Sequence, residues 1–428
     1  MKVINNTFYN ETIYTKKLNN GLTVYLMPRK QFSNFSAVFA TDYGSFDYEF
    51  MDLSNNTLVK TPQGVAHFLE HKMFDEEDGT DISDKLIEIG IDSNAYTSYD
   101  ITAYFVSGNQ NIEKAVLTLL DFVQKPNITD ETVESEKEII CQELMMYKEN
   151  PLSNTRINHL KLLYGDNDRV IQDIGGTIES VNEINKETLL KCYDIFYHPS
   201  NMCLSVVGNF DPNEMLTLIE SNQNKKVFKT ATNIKHLSDE YYEVLESIDK
   251  VEYLNIKTPI AVIGFKFPYL ELDNMTSARY GYALDFLFDA YFGEYSNITE
   301  RLREIKVNVP LNYAITYTKG YGYFRASVTT NKYEDVLNLV KTIINEIIEN
   351  GISEEQLKLM KRSTYTSHIK RFNNNETLAE DLVSIHKKKR NLFDSLELCN
   401  NVTINDVLEV INIIKNRAIC TYVAKPKE

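Results

Sequence analysis

Hydrophobic positions change period along the chain in an ordered way. Near the N-terminus, GLTVYLM (Gly21 to Met27) and SAVFATDYG (Ser36 to Gly44) alternate apolar and polar positions and are rich in β-branched and aromatic residues, which predicts two strands. A helix-period stretch begins near Thr61, and a second, ISDKLIEIG, leads into two more strands, SNAYTSYD and ITAYFVSG. Two helical runs follow, NIEKAVLTLLDFVQ and TDETVESEKEIICQELMMYKEN, then a helical approach to HPSN and the apolar strand MCLSVVG. The polar stretch from about Asn222 to Ser247 has no periodicity and reads as a connector.

The second half runs through the same order. VEYLNIK and IAVIGFKF read as strands, Ser277 to Glu304 as helices, LNYAITYT and YGYFRASVTT as strands, and two long helical runs precede a last strand, AICTYVA. The echo is clearest between ITDETVESEKEII from Ile128 and ISEEQLKLMKRST from Ile352, 224 residues apart, each with a hydroxyl cap before acidic residues. The chain therefore reads as internally duplicated. Paired strands alternating with paired helices predict an α+β fold of two homologous α/β-sandwich domains, each an antiparallel-rich sheet with helices on one face. The expected limits are 1–225, a linker at 226–247, and 248–428.

Composition narrows the function. A chain of 428 residues with 43% hydrophobic and 11% aromatic residues can build substantial cores, which excludes collagen-like and disordered classes. The net charge of −16 repels phosphate backbones and anionic lipid surfaces, so no nucleic-acid partner is expected. No apolar run approaches the roughly 18 residues of a membrane span, and MKVINNTFYNETIYTKK lacks an apolar signal core, so the expectation is a cytoplasmic protein. Five scattered cysteines, Cys141, Cys192, Cys203, Cys399 and Cys420, read as reduced thiols.

The chemistry concentrates in GVAHFLEHKMF, where Val65, Phe68, Leu69 and Phe74 can face a core. His67 and His71 are four apart, about 40° around a helix, so both imidazoles leave one face at a spacing suited to joint metal ligation. Glu70 flanks them, free to take a proton from water. With 7 His and 61 acidic residues, random placement yields about 0.02 matches to this HxxEH pattern. A catalytic zinc site normally needs a third protein ligand. On ETVESEKEIICQELMMYKEN, Glu136 and Glu143 are seven apart and point the same way, beside Ile139, Ile140 and Leu144, so spacing alone leaves both eligible. Glu134, Glu138 and Glu149 fall on the solvated side, and His198 reads as part of a His-Pro turn.

The fragments HFLEH, SNAYTS, EKEIICQELMMYKENP and IGGTIESVNEINKETLLKCYDIFYHPSNMCLSVVGNFD together resemble the M16 (pitrilysin, mitochondrial processing peptidase) metallopeptidases, in particular a bacterial short-chain subgroup. The resemblance implies the LuxS/MPP-like metallohydrolase fold, one Zn²⁺ per chain held by His67, His71 and Glu143, and Glu70 as general base. It also implies a supporting role for Glu136, and an edge strand with Asn94, Ala95 and Tyr96 on which substrate lies. Glu143 follows His71 by 72 residues, slightly less than the family's usual spacing. The family's carbonyl-holding Arg and Tyr are matched by Arg303 and Tyr313, but Tyr313 lies ten residues after Arg303 and Lys306 stands where the family's spacing expects the arginine. Family members enclose peptides in a chamber of four homologous domains, so a chain of two repeats forms half a clamshell. A heterodimer with a paralogue lacking the zinc motif is expected first and a homodimer second.

Overall fold

A computed structural model describes residues 1–237, 244, 246–268, 272–318 and 321–427. The first half of the chain runs β1 (Lys2–Asn6), β2 (Glu11–Lys17), β3 (Thr23–Pro28), β4 (Phe35–Thr41), β5 (Glu49–Asp52), β6 (Thr57–Lys60), α1 (Val65–Lys72), α2 (Ile82–Ile87), β7 (Ile91–Thr97), β8 (Thr102–Gly108), α3 (Ile112–Val123), α4 (Asp130–Glu149), α5 (Pro151–Tyr164), α6 (Ile178–Glu183), α7 (Lys186–Phe196), β9 (Met202–Gly208) and α8 (Pro212–Gln223). The second half runs β10 (Ile234–His236), β11 (Asp249–Leu254), β12 (Ile260–Lys266), α9 (Asn274–Phe292), α10 (Ile298–Glu304), β13 (Asn312–Thr318), β14 (Tyr321–Thr329), α11 (Tyr333–Asn350), α12 (Glu354–Arg371), α13 (Asn375–Lys387), α14 (Asp394–Asn401), α15 (Ile404–Ile414) and β15 (Cys420–Pro426).

The duplication is explicit in the topology. One sheet has the order β1-β2-β3-β9-β4-β8-β7 and the other β11-β15-β12-β14-β13. The last five strands of the first correspond one for one to the second, each with a single parallel pair, β3 with β9 and β11 with β15. The helices α4 and α12 begin at Asp130 and Glu354, and α5 and α13 at Pro151 and Asn375, both 224 residues apart. The first sheet carries an additional hairpin, β1–β2, which the sequence pattern did not announce. A small sheet, β10-β5-β6, is also new, and its strand β10 lies inside the stretch read as a linker.

Compactness divides the chain differently from a cut at 226–247. One unit comprises Met1–Leu144, Asp173–Leu237 and Ile369–Phe393; the other comprises Met145–Gln172, Ser238–His368 and Asp394–Glu428. The first unit thus takes α13 from the second half of the sequence, and the second unit takes α5 from the first. The strands explain why. Every residue of β4 (FSAVFAT), β9 (MCLSVVG) and β12 (IAVIGFK) is buried, as expected of strands covered on both faces. In the first unit, Ala37, Phe39, Leu204 and Val206 face the core shared with α1, α3, α7 and α8, whereas Val38, Ala40, Cys203 and Val207 pack against Leu378, Ala379, Leu382 and Val383 of α13. In the second unit, Ala261, Ile263 and Phe265 face α9, α11 and α15, and the reverse face meets Leu162 of α5. The expectation of helices on one face only is corrected accordingly: each sheet is a middle layer.

Packing α5 onto the second sheet buries His159 completely. Its Nε2 lies 3.1 Å from the Cys420 carbonyl, while Nδ1 has no partner among the described residues, and burial pushes the imidazole down to about 4. An unfolded histidine titrates near 6.5. The unfolded chain therefore binds the extra proton first, and the stability His159 contributes is present above pH 6.5 and lost as pH falls toward 4, by at most about 1.4 kcal/mol per pH unit. Urea midpoints measured from pH 7 to 5 should fall less steeply for His159→Gln than for the wild type.

Candidate metal centre

The helix α1 is short because its ends are set by backbone contacts. It starts after Gly64, which is left-handed at φ 91°, and has no side-chain cap. A Cβ on Gly64 would lie 2.2 Å from the Gly175 carbonyl oxygen, and one on Gly176 would lie 2.5 Å from that of Gln63, so this approach of two backbones admits only glycine. The Ser180 hydroxyl donates to the same Gln63 carbonyl at 2.9 Å. At the other end, buried Lys72 donates to Asp75 and, at 3.3 Å, to the Thr132 carbonyl in the first turn of α4. Val65, Phe68 and Leu69 are buried in the core, which turns His67 and His71 to the opposite side.

The two rings meet edge to face along that side, with centroids 4.6 Å apart. Opposite them, α4 buries Val133, Glu136, Ile140 and Leu144 at helical spacing. Ile139, expected beside this stripe, is 54% exposed, because it sits about 100° around the helix from Ile140. Glu143 presents Oε2 at 3.8 Å from His67 Nε2 and 3.7 Å from His71 Nε2. Glu136 lies one step further out: its Oε1 is 2.9 Å from His71 Nδ1. With the proton on Nδ1, His71 donates to Glu136 and turns an unprotonated Nε2 toward Glu143. The two glutamates that spacing could not separate thus have different neighbours.

Burial and charge act on these groups in opposite directions. Burial, with repulsion from His71, pushes the His67 imidazole down to about 3, so it is neutral and its lone pair is available at ordinary pH. Burial also presses on His71, but the hydrogen bond and charge of Glu136, with the charges of Glu70 and Glu143, outweigh it and raise the imidazole overall. Glu70 is raised, chiefly by burial, with the Thr97 hydroxyl opposing as it donates to Oε2 at 2.5 Å.

The donor set fits a zinc ion. Two imidazole nitrogens and one carboxylate oxygen, His67, His71 and Glu143, lie within 4.8 Å of one another. Tetrahedral zinc with bonds of about 2.0–2.1 Å separates its ligand atoms by roughly 3.3 Å, so the observed 3.7 and 3.8 Å require only a slight contraction. Three protein ligands leave a position for water, the pattern of catalytic rather than closed structural zinc.

The remaining sequence-derived candidates are placed as follows. Asn94, Ala95 and Tyr96 lie on β7, the outer strand of the seven-stranded sheet, which pairs only with β8 among the described residues. The Ala95 N–H donates to the Asn94 side-chain oxygen at 2.8 Å. Arg303 is exposed in the last turn of α10 and Tyr313 is on β13, both in the other compact unit. The Tyr313 hydroxyl donates to Asp289 Oδ1 at 2.6 Å. His198 caps a short 3₁₀ turn by accepting from the Ser200 N–H at 3.2 Å. Sequence reasoning missed Thr97 and the Gly64–Gly175–Gly176 contact. Alternation along β7 could have found the first, since Ile91, Ser93, Ala95 and Thr97 share a face; no sequence signal exists for the second.

Residues 59–169 match the family model described as insulinase (peptidase family M16), and 183–364 match the peptidase M16 inactive domain. An uncharacterized zinc protease of Bacillus subtilis (strain 168), YmfH, is 34% identical over 420 residues, spanning 97% of each chain. The crystal structure of an M16-like peptidase from Alicyclobacillus acidocaldarius superposes with a TM-score of 0.90 at 31% identity, covering 97% of this chain and 99% of that one. The periplasmic protease PqqL of Escherichia coli shares the fold at a TM-score of 0.75 and 20% identity, with this chain covering 48% of its length.

Proposed function

The chain belongs to peptidase family M16, and from that premise we propose that it is a zinc-dependent endopeptidase with His67, His71 and Glu143 as metal ligands. The observation that carries the reading is the convergence of these three donors beside a buried carboxylate, Glu70, that is not one of them. Zinc, when bound, supplies Lewis acidity to a water and to the scissile carbonyl. Glu70 accepts the proton of the attacking water and passes it to the departing amine. Its raised affinity for protons suits both halves of that transfer. Thr97 holds the carboxylate in place, and Glu136 holds His71 in the tautomer that leaves Nε2 free.

The substrate is an extended peptide added to β7 at Asn94, Ala95 and Tyr96. Main-chain pairing satisfies the strand's outer groups and asks little of the side chains. The Asn94 side chain must release the Ala95 N–H when a peptide arrives. That the chain covers about half of PqqL supports a chamber completed by a second chain, first a paralogue lacking the zinc motif and second another copy of this one. The engagement of the Tyr313 hydroxyl by Asp289 favours dependence on such a partner, since it withholds that donor from a substrate carbonyl.

Zinc content and cleavage of a quenched peptide, measured on the same sample, test the reading. One zinc per chain and activity that a chelator removes and zinc restores are expected. A zinc-loaded chain that becomes active only on adding a paralogous chain supports the partner-dependent form. A chain that binds no zinc, or cleaves equally well in chelator, refutes the assignment.

A further inference from the structure

Gly175 stands beside one ligand, His67, and beside Leu144, the neighbour of another, and we propose that its missing side chain sets the zinc affinity of the site; the inference rests on the zinc reading above. A Cβ built on Gly175 would lie 3.4 Å from His67 Nδ1 and 3.0 Å from Leu144 Cδ2. Leu144 directly follows Glu143 on α4, so one methyl group would press on both ligand-bearing helices.

The two histidines are anchored differently, which makes this contact matter. His71 is fixed through Nδ1 by Glu136. His67 Nδ1 is buried without a hydrogen-bond partner among the described residues, so no bond at Nδ1 holds its ring, and a Cβ on Gly175 would come into contact with it at 3.4 Å. The loop cannot retreat to make room, because the Gly175 carbonyl abuts Gly64 and Gly176 abuts Gln63. The strain of a larger residue therefore passes to His67 or Leu144. Zinc bonds of about 2.0–2.1 Å require the ligand atoms to draw together from the observed 3.7 and 3.8 Å, and a residue pressing on the ligand-bearing helices opposes that contraction. Gly176 is left-handed at φ 83°, but Gly175 is not in that region, so alanine there alters space and not backbone strain.

The test is Gly175→Ala in the full chain. Zinc affinity is read by competition with a chromophoric chelator, ligand geometry by the visible spectrum of the cobalt-loaded protein, and folding by thermal unfolding of the metal-free chain. Zinc should bind about 10- to 100-fold more weakly, the range typical of changes just outside a metal's ligands, with an altered cobalt spectrum and a nearly unchanged melting temperature. Gly281→Ala, inside α9 where a Cβ meets nothing within 4 Å, should leave zinc affinity and the cobalt spectrum unchanged and raise the melting temperature slightly. If Gly175→Ala folds poorly, Leu144→Ala/Gly175→Ala is compared with Leu144→Ala, which removes the 3.0 Å contact and keeps the one with His67. Equal zinc affinity within either pair overturns the inference while zinc binding by the wild type stands; a wild type that binds no zinc overturns the zinc reading itself.

Discussion

Glu70→Gln is expected to lower peptide cleavage by about 10²- to 10⁴-fold while zinc stays bound at wild-type stoichiometry. Glutamine has the same shape and keeps an oxygen that can accept from Thr97 Oγ1, which lies 2.5 Å from Glu70 Oε2. What it lacks is the ability to take a proton. The metal donors are other residues, His67, His71 and Glu143, so the loss falls on turnover and not on metal content. Glu143→Gln should behave oppositely, losing zinc and activity together. Metal analysis beside single-turnover cleavage separates the two outcomes. Wild-type cleavage by a zinc-loaded Glu70→Gln protein would place the base elsewhere.

A second large effect concerns the fold. Arg29→Ala is expected to cost about 3–5 kcal/mol, because it strands a buried carboxylate. Arg29 is 3% exposed; its Nε donates to Glu11 Oε1 at 2.8 Å, one terminal nitrogen to Asn375 Oδ1 at 2.7 Å and the other to the Phe372 carbonyl at 2.5 Å. Asn375 is the first residue of α13, so this guanidinium ties the exchanged helix to the first unit. Burial raises Glu11 despite its partner, the mark of a carboxylate that depends on that cation. Urea unfolding should show the full loss for Arg29→Ala and partial recovery for Arg29→Met/Glu11→Leu, which removes both charges and keeps the volume but leaves Asn375 Oδ1 and the Phe372 carbonyl without their donor. A loss below about 1 kcal/mol for the single change would show that the pair is solvated.

Local periodicity carried a large part of the reading. The i, i+4 spacing of His67 and His71 was visible because a helix turn dictates it, and the 224-residue repeat was visible because both halves use the same caps and runs. The strands β4, β9 and β12 were recognisable as apolar, but their continuous burial, which needs covering on two faces, was read as one-sided. The hairpin β1–β2 was not legible, since β1 is mostly exposed and the buried positions of β2 include the charged Glu11, so neither strand shows an alternating apolar face.

By itself, the sequence determined the order of the main strands and helices, the duplication and the helix that aligns two imidazoles with a carboxylate, because each is written in local periodicity, which a repeat simply shows twice. Only the tertiary structure decided which sheet each of α5 and α13 covers, that Glu143 faces the imidazole Nε2 atoms while Glu136 meets Nδ1, and that Gly175 backs His67. An apolar helix stripe does not name its partner, and a seven-residue spacing gives two glutamates the same direction. Contacts between segments more than 60 residues apart are settled only when the chain is packed.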